Sequence, residues 1–193
     1  MKQIRLLVTG LLTILATSTL TGCITFNSQT LDLHPQIQVS RVLSKEKRVE
    51  IIPKDLRADS VIGYRYTGEA DAPSIVLKDS LHLLQHTTEH ALEDMGIVRF
   101  YGGEFNLTIS LIELNYRASE SKIKQTVNLD TKLKVTVSKD NKSYTGTYTA
   151  DKQQTFVGVA SEEENEKLVN DLFSSVMNLA MNDQQLIDFI QFN

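Results

Sequence analysis

Three histidines recur at intervals of four, His82, His86 and His90, with Glu89 and Glu93 among them. In a helix, at about 100° per residue, the three imidazoles share one sector, opposite a stripe of leucines. Two imidazoles at that spacing can chelate Zn²⁺, Cu²⁺ or Ni²⁺ through ring nitrogens, and Glu93 can add an oxygen. A resident metal asks for more, namely a fourth ligand and outer groups that fix the rings, and the sequence supplies neither. Glu89 and Glu93 also pair with protonated His at helical spacings. The expectation is therefore a solvated histidine face, with no metal and no cofactor. Asp55 and Arg57, closing a short apolar strand, are the other pair able to hold a polar ligand, and pairing with each other is the default. Ser161 reads as a helix cap. The sequence has no Gly-x-Ser-x-Gly elbow, no phosphate-cradling glycine loop and no His-Glu-x-x-His. These residues predict no enzyme.

The chemistry with the sharpest address lies earlier. Lys2 and Arg5 precede an apolar run, Leu6 to Ala16, broken only by Thr9, Gly10 and Thr13. The run is too short for a bilayer core, which needs about 20 apolar residues, and matches the apolar part of a secretory signal. Leu20-Thr21-Gly22-Cys23 follows. A Leu, two small residues and Cys behind such a run resembles the lipobox of bacterial lipoproteins. The resemblance implies cleavage between Gly22 and Cys23, diacylglycerol on the Cys23 sulfur and an acyl chain on its α-amine. Two or more chains hold a protein stably on a membrane, at about 0.8 kcal/mol per buried CH₂. Ile24, rather than Asp, stands after the cysteine, which by the same resemblance directs the product to the outer membrane, on its periplasmic face.

Composition agrees with a folded body. The chain has 193 residues, 41% hydrophobic and 23% charged, with a net charge of −4. Its single Cys excludes an internal disulfide and a multi-thiolate zinc site. Without Lys2 and Arg5 the mature chain carries 18 bases against 24 acids. Residues 161–193 hold seven of those acids and one base, so the acidity is local, and nucleic acid is not an expected partner. The expected organisation is a cleaved signal over 1–22, a lipidated tether over 23–35 and a single domain over 36–193.

Residues 36–43 and Val49–Ile52 are predicted strands, the second stopped by Pro53. Val61–Thr67 reads as an extended arm. Leu77, Leu81, Leu84, Thr88, Ala91, Leu92 and Met95 predict a helix from Ser74 to Met95, capped by Gly96. Phe105, Leu107, Ile109 and Leu111 alternate with polar residues, and the phase flips at Ile112, which predicts a bulge. Val127–Val137 alternates again. Lys139-Asp140-Asn141-Lys142 is a turn, and a third strand runs to Val157. Ser161 with Glu164 predicts a capping box opening a helix whose apolar face, centred on Leu168, Leu172, Val176 and Leu179, is broad enough to lie on a sheet. Asn182 and Asp183 can cap a last short helix. The expected fold is α+β: a two-layer mixed sheet, strand–helix–three-strand antiparallel meander–helix, with helices on one face.

The lipobox ending at Cys23, the strand leading to Asp55-Leu56-Arg57, the helix with Leu83-Leu84-Gln85 running to Gly96, the meander, and the ending Leu186-Ile187-Asp188-Phe189-Ile190-Gln191 together resemble the YajG family of uncharacterised Gram-negative lipoproteins. The resemblance implies an envelope lipoprotein without an assigned activity. More loosely, the layout is similar to auxiliary lipoproteins of envelope transport systems, which act as docking partners. The expected function is a lipid-anchored periplasmic accessory module with an envelope protein as partner. The alternative is a periplasmic lipoprotein that binds a small ligand or a metal.

Overall fold

The strongest alternation in the chain makes its longest strands. In the computed structural model, which describes residues 28–43, 47–66, 72–97, 102–121 and 123–193, β5 (Phe105–Ala118), β6 (Lys124–Lys139) and β7 (Lys142–Val157) pair consecutively and antiparallel. Every second side chain of β5 and β6 is buried, among them Phe105, Leu107, Ile109, Val127, Leu133 and Val135. The intervening residues are largely polar, so one sheet face is apolar and the other is wet. The register of β5 on β6 shifts between Leu111 and Glu113. That bulge at Ile112 keeps Leu114 and Tyr116 on the buried side after the phase change. Asp140, at φ 50°, takes the left-handed turn position between β6 and β7.

The other edge of β5 is shared. β2 (Val49–Asp55) runs parallel to its first half, and β3 (Val61–Tyr64) meets it near Tyr116. β4 (Ser74–Val76) pairs antiparallel with β3, and β1 (Gln29–Thr30) lies parallel to β4. The result is an α+β fold with a mixed sheet of seven strands. Gly63 is where β3 touches β5: a Cβ there would stand 2.0 Å from the carbonyl oxygen of Tyr116. Only glycine permits that approach.

Three helices cover the apolar face among the described residues. α1 (Ser80–Asp94) packs on β2, while α2 (Glu162–Met181) and α3 (Gln184–Phe192) pack on β6 and β7. α2 opens with the expected capping box: Ser161 Oγ accepts from the Glu164 amide and the Glu164 carboxylate accepts from the Ser161 amide. Gly96, at φ 96°, ends α1.

Several expectations shift. The first helix starts at Ser80, not Ser74, because Ser74-Ile75-Val76 is taken as β4 by the open edge of β3. Leu81 and Leu179, counted in the apolar stripes, are half exposed. The strand from Val49 runs through Pro53 to Asp55, which an edge strand tolerates because its outer side needs no amide donor. The arm at Val61–Thr67 is a strand only as far as Tyr64. Residues 36–43 form no strand. The stretch read as tether belongs to the body from Gln29 onward, with Leu31 and Leu33 buried. Residues 1–22, and Gly22, Cys23 and Ile24 with them, lie outside the described residues.

Candidate functional site

The helix histidines come to one place with the fourth histidine of the chain. Residues 31–37 run extended beside α1, and between them lies a groove of about 540 Å³. His82, His86 and His90 line its α1 wall and His34 its other wall, so all four histidines of the sequence face one space. Its floor is apolar, with Leu33, Leu77 and Ala91. Nε2 of His86 and Nε2 of His90 are 3.2 Å apart, the rings meeting edge to face at 77°. The His82 ring stands one turn back, 5.7 Å from that of His86. Among the described residues no group of three His, Cys, Asp or Glu converges as a ready metal cage.

Asp55 and Arg57 do pair with each other. The guanidinium reaches both carboxylate oxygens, Nε to Oδ1 at 3.0 Å and Nη2 to Oδ2 at 2.7 Å, and Nη2 also donates to the Leu77 carbonyl. The Ser80 hydroxyl donates to Asp55 as well. Burial pushes the Asp55 pKa up, but the Arg57 and Ser80 hydrogen bonds outweigh it and hold the carboxyl below its ordinary value. With the Arg57 side chain only 6% exposed, this cluster ties the end of β2 to the start of α1, and its carboxylate is already engaged.

Sequence reasoning missed the segment that walls the groove. Residues 32, 34, 36, 38 and 40 turn their amides toward α2 and its C-terminal cap, where Glu166, Asn170, Ser174, Asn178 and the cap residue Asn182 form one polar row at four-residue spacing. The amides of His34, Gln36, Gln38 and Ser40 donate to Asn170 Oδ1 (2.8 Å), Ser174 Oγ (3.0 Å), Asn178 Oδ1 (2.8 Å) and Asn182 Oδ1 (2.7 Å). Asn178 and Asn182 return Nδ2 donors to the carbonyls of Gln36 and Gln38. Two residues of extended chain advance about 6.6 Å and four of helix about 6.0 Å, near enough for the rows to stay in step. A helix face thus replaces a neighbouring strand as hydrogen-bond partner. The signal was in the sequence, as amide and hydroxyl side chains at i, i+4, i+8 and i+12 on a helix. Removing both Asn178 and Asn182 to Ala should cost about 2 kcal/mol, at the low end per exposed hydrogen bond. Hydrogen exchange checks it: the Gln38 and Ser40 amides should exchange at least about tenfold faster, following local opening.

Two further clusters lock the helices to the sheet. Asp183 caps α3 through the Gln185 and Leu186 amides, while its other oxygen accepts from Tyr144 (2.7 Å) and Tyr148 (2.6 Å) of β7. Asn165 of α2, fully buried, accepts from the Tyr116 hydroxyl at 2.6 Å and donates to Gln29 Oε1 at 3.1 Å.

Fold and clusters together define an α+β domain that straps its own amino-terminal lead to its helical layer and opens a histidine-lined groove beside that strap. A family model described as uncharacterized lipoprotein, Lipoprotein_16, matches residues 35–191. The chain belongs to that family, which is the YajG family that its motifs resemble. No curated protein matches it. Similar solved structures include protein XCC0632 from Xanthomonas campestris, 9% identical over 79% of this chain and 93% of that one, at a TM-score of 0.46. The PelC dodecamer from Paraburkholderia phytofirmans is 11% identical over 71% and 89%, at 0.32. Lipoprotein GNA1162 from Neisseria meningitidis is 14% identical over 69% and 97%, at 0.28.

Proposed function

We propose that this protein is a non-catalytic accessory module of the Gram-negative envelope, lipidated at Cys23, held on the periplasmic face of the outer membrane and working through an envelope protein partner. The observation that carries this reading is the position of the body relative to the cysteine: β1 starts at Gln29, six residues after Cys23. Six residues span at most about 20 Å, so lipid on Cys23 holds that end of the domain close to the bilayer. The same end presents Ile123, 85% exposed, and Val157, 99% exposed. It is linked to Gln29 through Glu162, Arg65 and Gln125 by successive hydrogen bonds. Two exposed apolar side chains there suit shallow insertion at the boundary between lipid headgroups and acyl chains. No helix among the described residues is long and apolar enough to cross a membrane, so the anchor in this reading is the lipid. The main carboxylate clusters, at Asp55 and Asp183, are engaged in holding elements together, which supports a binding rather than a catalytic role.

Fractionation tests the anchor. The unaltered protein should sediment with outer membranes and show an acylated amino-terminal mass, while Cys23→Ala should remain folded and leave the outer-membrane fraction. Co-sedimentation of Cys23→Ala with outer membranes would reject the lipid tether. Crosslinking in cells followed by mass spectrometry identifies the partner; a protein recovered only as monomer, with no envelope protein attached, counts against the docking role.

A further inference from the structure

We infer that His86 and His90 form a chelating site for a late first-row divalent ion, with Zn²⁺ and Cu²⁺ as the fitting members. Three features beyond the spacing carry this. The first is the bite. Two nitrogens bound at 2.0–2.1 Å in tetrahedral geometry stand about 3.3 Å apart, and the two Nε2 atoms are 3.2 Å apart. The second is the outer group. Glu93 Oε2 lies 3.4 Å from Nδ1 of His90. A carboxylate on that side favours the tautomer with the proton on Nδ1, which leaves the Nε2 lone pair facing His86. His86 Nε2–H then donates to it. On binding, the His86 proton shifts to Nδ1 through solvent, and both Nε2 lone pairs become free for the ion. The third is the surroundings: the pair opens onto the groove, with His82 one turn back and His34, beside Asp32 at 3.5 Å, on the facing wall.

Two protein nitrogens leave coordination positions for water or for a group carried by a docked molecule. Such a site differs from a structural zinc, whose four positions are closed. Imidazole donors select Cu²⁺ over Zn²⁺ by affinity, so Cu²⁺ should bind more tightly of the two. Because His86, His90 and Glu93 are solvent-facing and none packs in the core, their substitution tests the site without endangering the fold. The inference does not depend on the lipid anchor.

The test is titration of the full chain, purified in detergent, with Zn²⁺ and separately with Cu²⁺, followed by calorimetry and by the histidine ring signals in NMR. One ion per chain is expected, perturbing His86 and His90 most. His86→Ala and His90→Ala should each weaken binding at least about tenfold, the loss of one of two nitrogens, and Glu93→Gln by about tenfold, as outer-group substitutions do. Binding that is undiminished in His90→Ala, or equal in Glu93→Gln and the unaltered chain, would reduce the pair to an ordinary surface chelate and overturn the site. Absence of saturable one-to-one binding would do the same.

Discussion

Replacing Asp183 with Ala should lower the stability of the domain by about 3 kcal/mol, combining the loss of a helix cap with that of two hydrogen bonds to a charged acceptor. Asp183 stands at the corner between α2 and α3. One oxygen closes the first turn of α3 and the other takes both tyrosine hydroxyls of β7. Burial pushes its pKa up, but the hydrogen bonds from Tyr148 and Tyr144 and from the two amides outweigh it, so the carboxyl titrates below its ordinary value. Tyr148 is pushed the other way, chiefly by burial and then by the neighbouring carboxylate, and Tyr144 follows, chiefly through its bond to Asp183. The sign of the pH dependence follows. A carboxyl depressed in the folded state contributes stability that is complete above its unfolded pKa of about 3.9 and is lost as the pH falls through the lower folded value. Asp55 and Asp171, also depressed, add to the same acid limb. Urea unfolding at neutral pH and at pH 3 checks both parts. Asp183→Asn, which keeps the cap and loses the charge, should sit between the unaltered chain and Asp183→Ala and should flatten the acid limb. A loss below about 1 kcal/mol in Asp183→Ala would mean that water replaces the cap and the tyrosine contacts almost without penalty.

That corner shows how far the chain could be read unaided. Asp183 was legible as a cap because Asp before an apolar helix is a local signal. Its tyrosines were not, since Tyr144 and Tyr148 reach it across a sheet register that no short-range pattern encodes. The same division runs through the fold. The capping box at Ser161, the stop at Gly96, the turn at Asp140 and the bulge at Ile112 depend on a few neighbouring residues, and each is where the sequence put it. The Ser74 error has the opposite origin. The helix expected from the stripe at Leu77 onward begins on paper at Ser74, but Ile75 and Val76 lie off that stripe, and tertiary pairing with β3 takes them into the sheet. Residues 36–43 alternate as a strand does, with Ile37 and Val39 partly buried, yet their amides find side chains on α2 instead of another strand. Alternation reports which face is buried and is silent about what satisfies the backbone. The histidine face was legible as a helical sector, whereas its groove was not, because the facing wall lies about 50 residues away in sequence.

The largest effect outside Asp183 is expected at Asn165, where Asn165→Leu should cost about 3 kcal/mol. The substitution keeps the branched shape of the side chain but strands two buried polar partners, each at about 1–3 kcal/mol. Tyr116 loses the acceptor for its hydroxyl, and the Gln29 oxygen loses its donor. Burial already pushes the Tyr116 pKa up, so the phenol cannot escape the penalty by ionising. Adding Tyr116→Phe should return about 1 kcal/mol or more, since removing both members of a buried pair is far milder than removing one. The consequence reaches beyond stability. Gln29 is held at this point by Asn165 and, through its own amide, by the Glu162 carbonyl, and the Leu31 amide two residues on is bound to Val76 at 2.8 Å. With Asn165 gone, β1 should open more often than the body unfolds, and the Leu31 amide should exchange faster than amides in the middle of β6. Each residue released adds about 3.5 Å of reach to the lead between Cys23 and the domain. In the anchored reading that distance decides how close Ile123 and Val157 stand to the membrane, so Asn165 sets the length of the leash as well as the stability of the fold. Unchanged Leu31 exchange in a destabilised Asn165→Leu would separate the two, leaving the asparagine a role in the core alone.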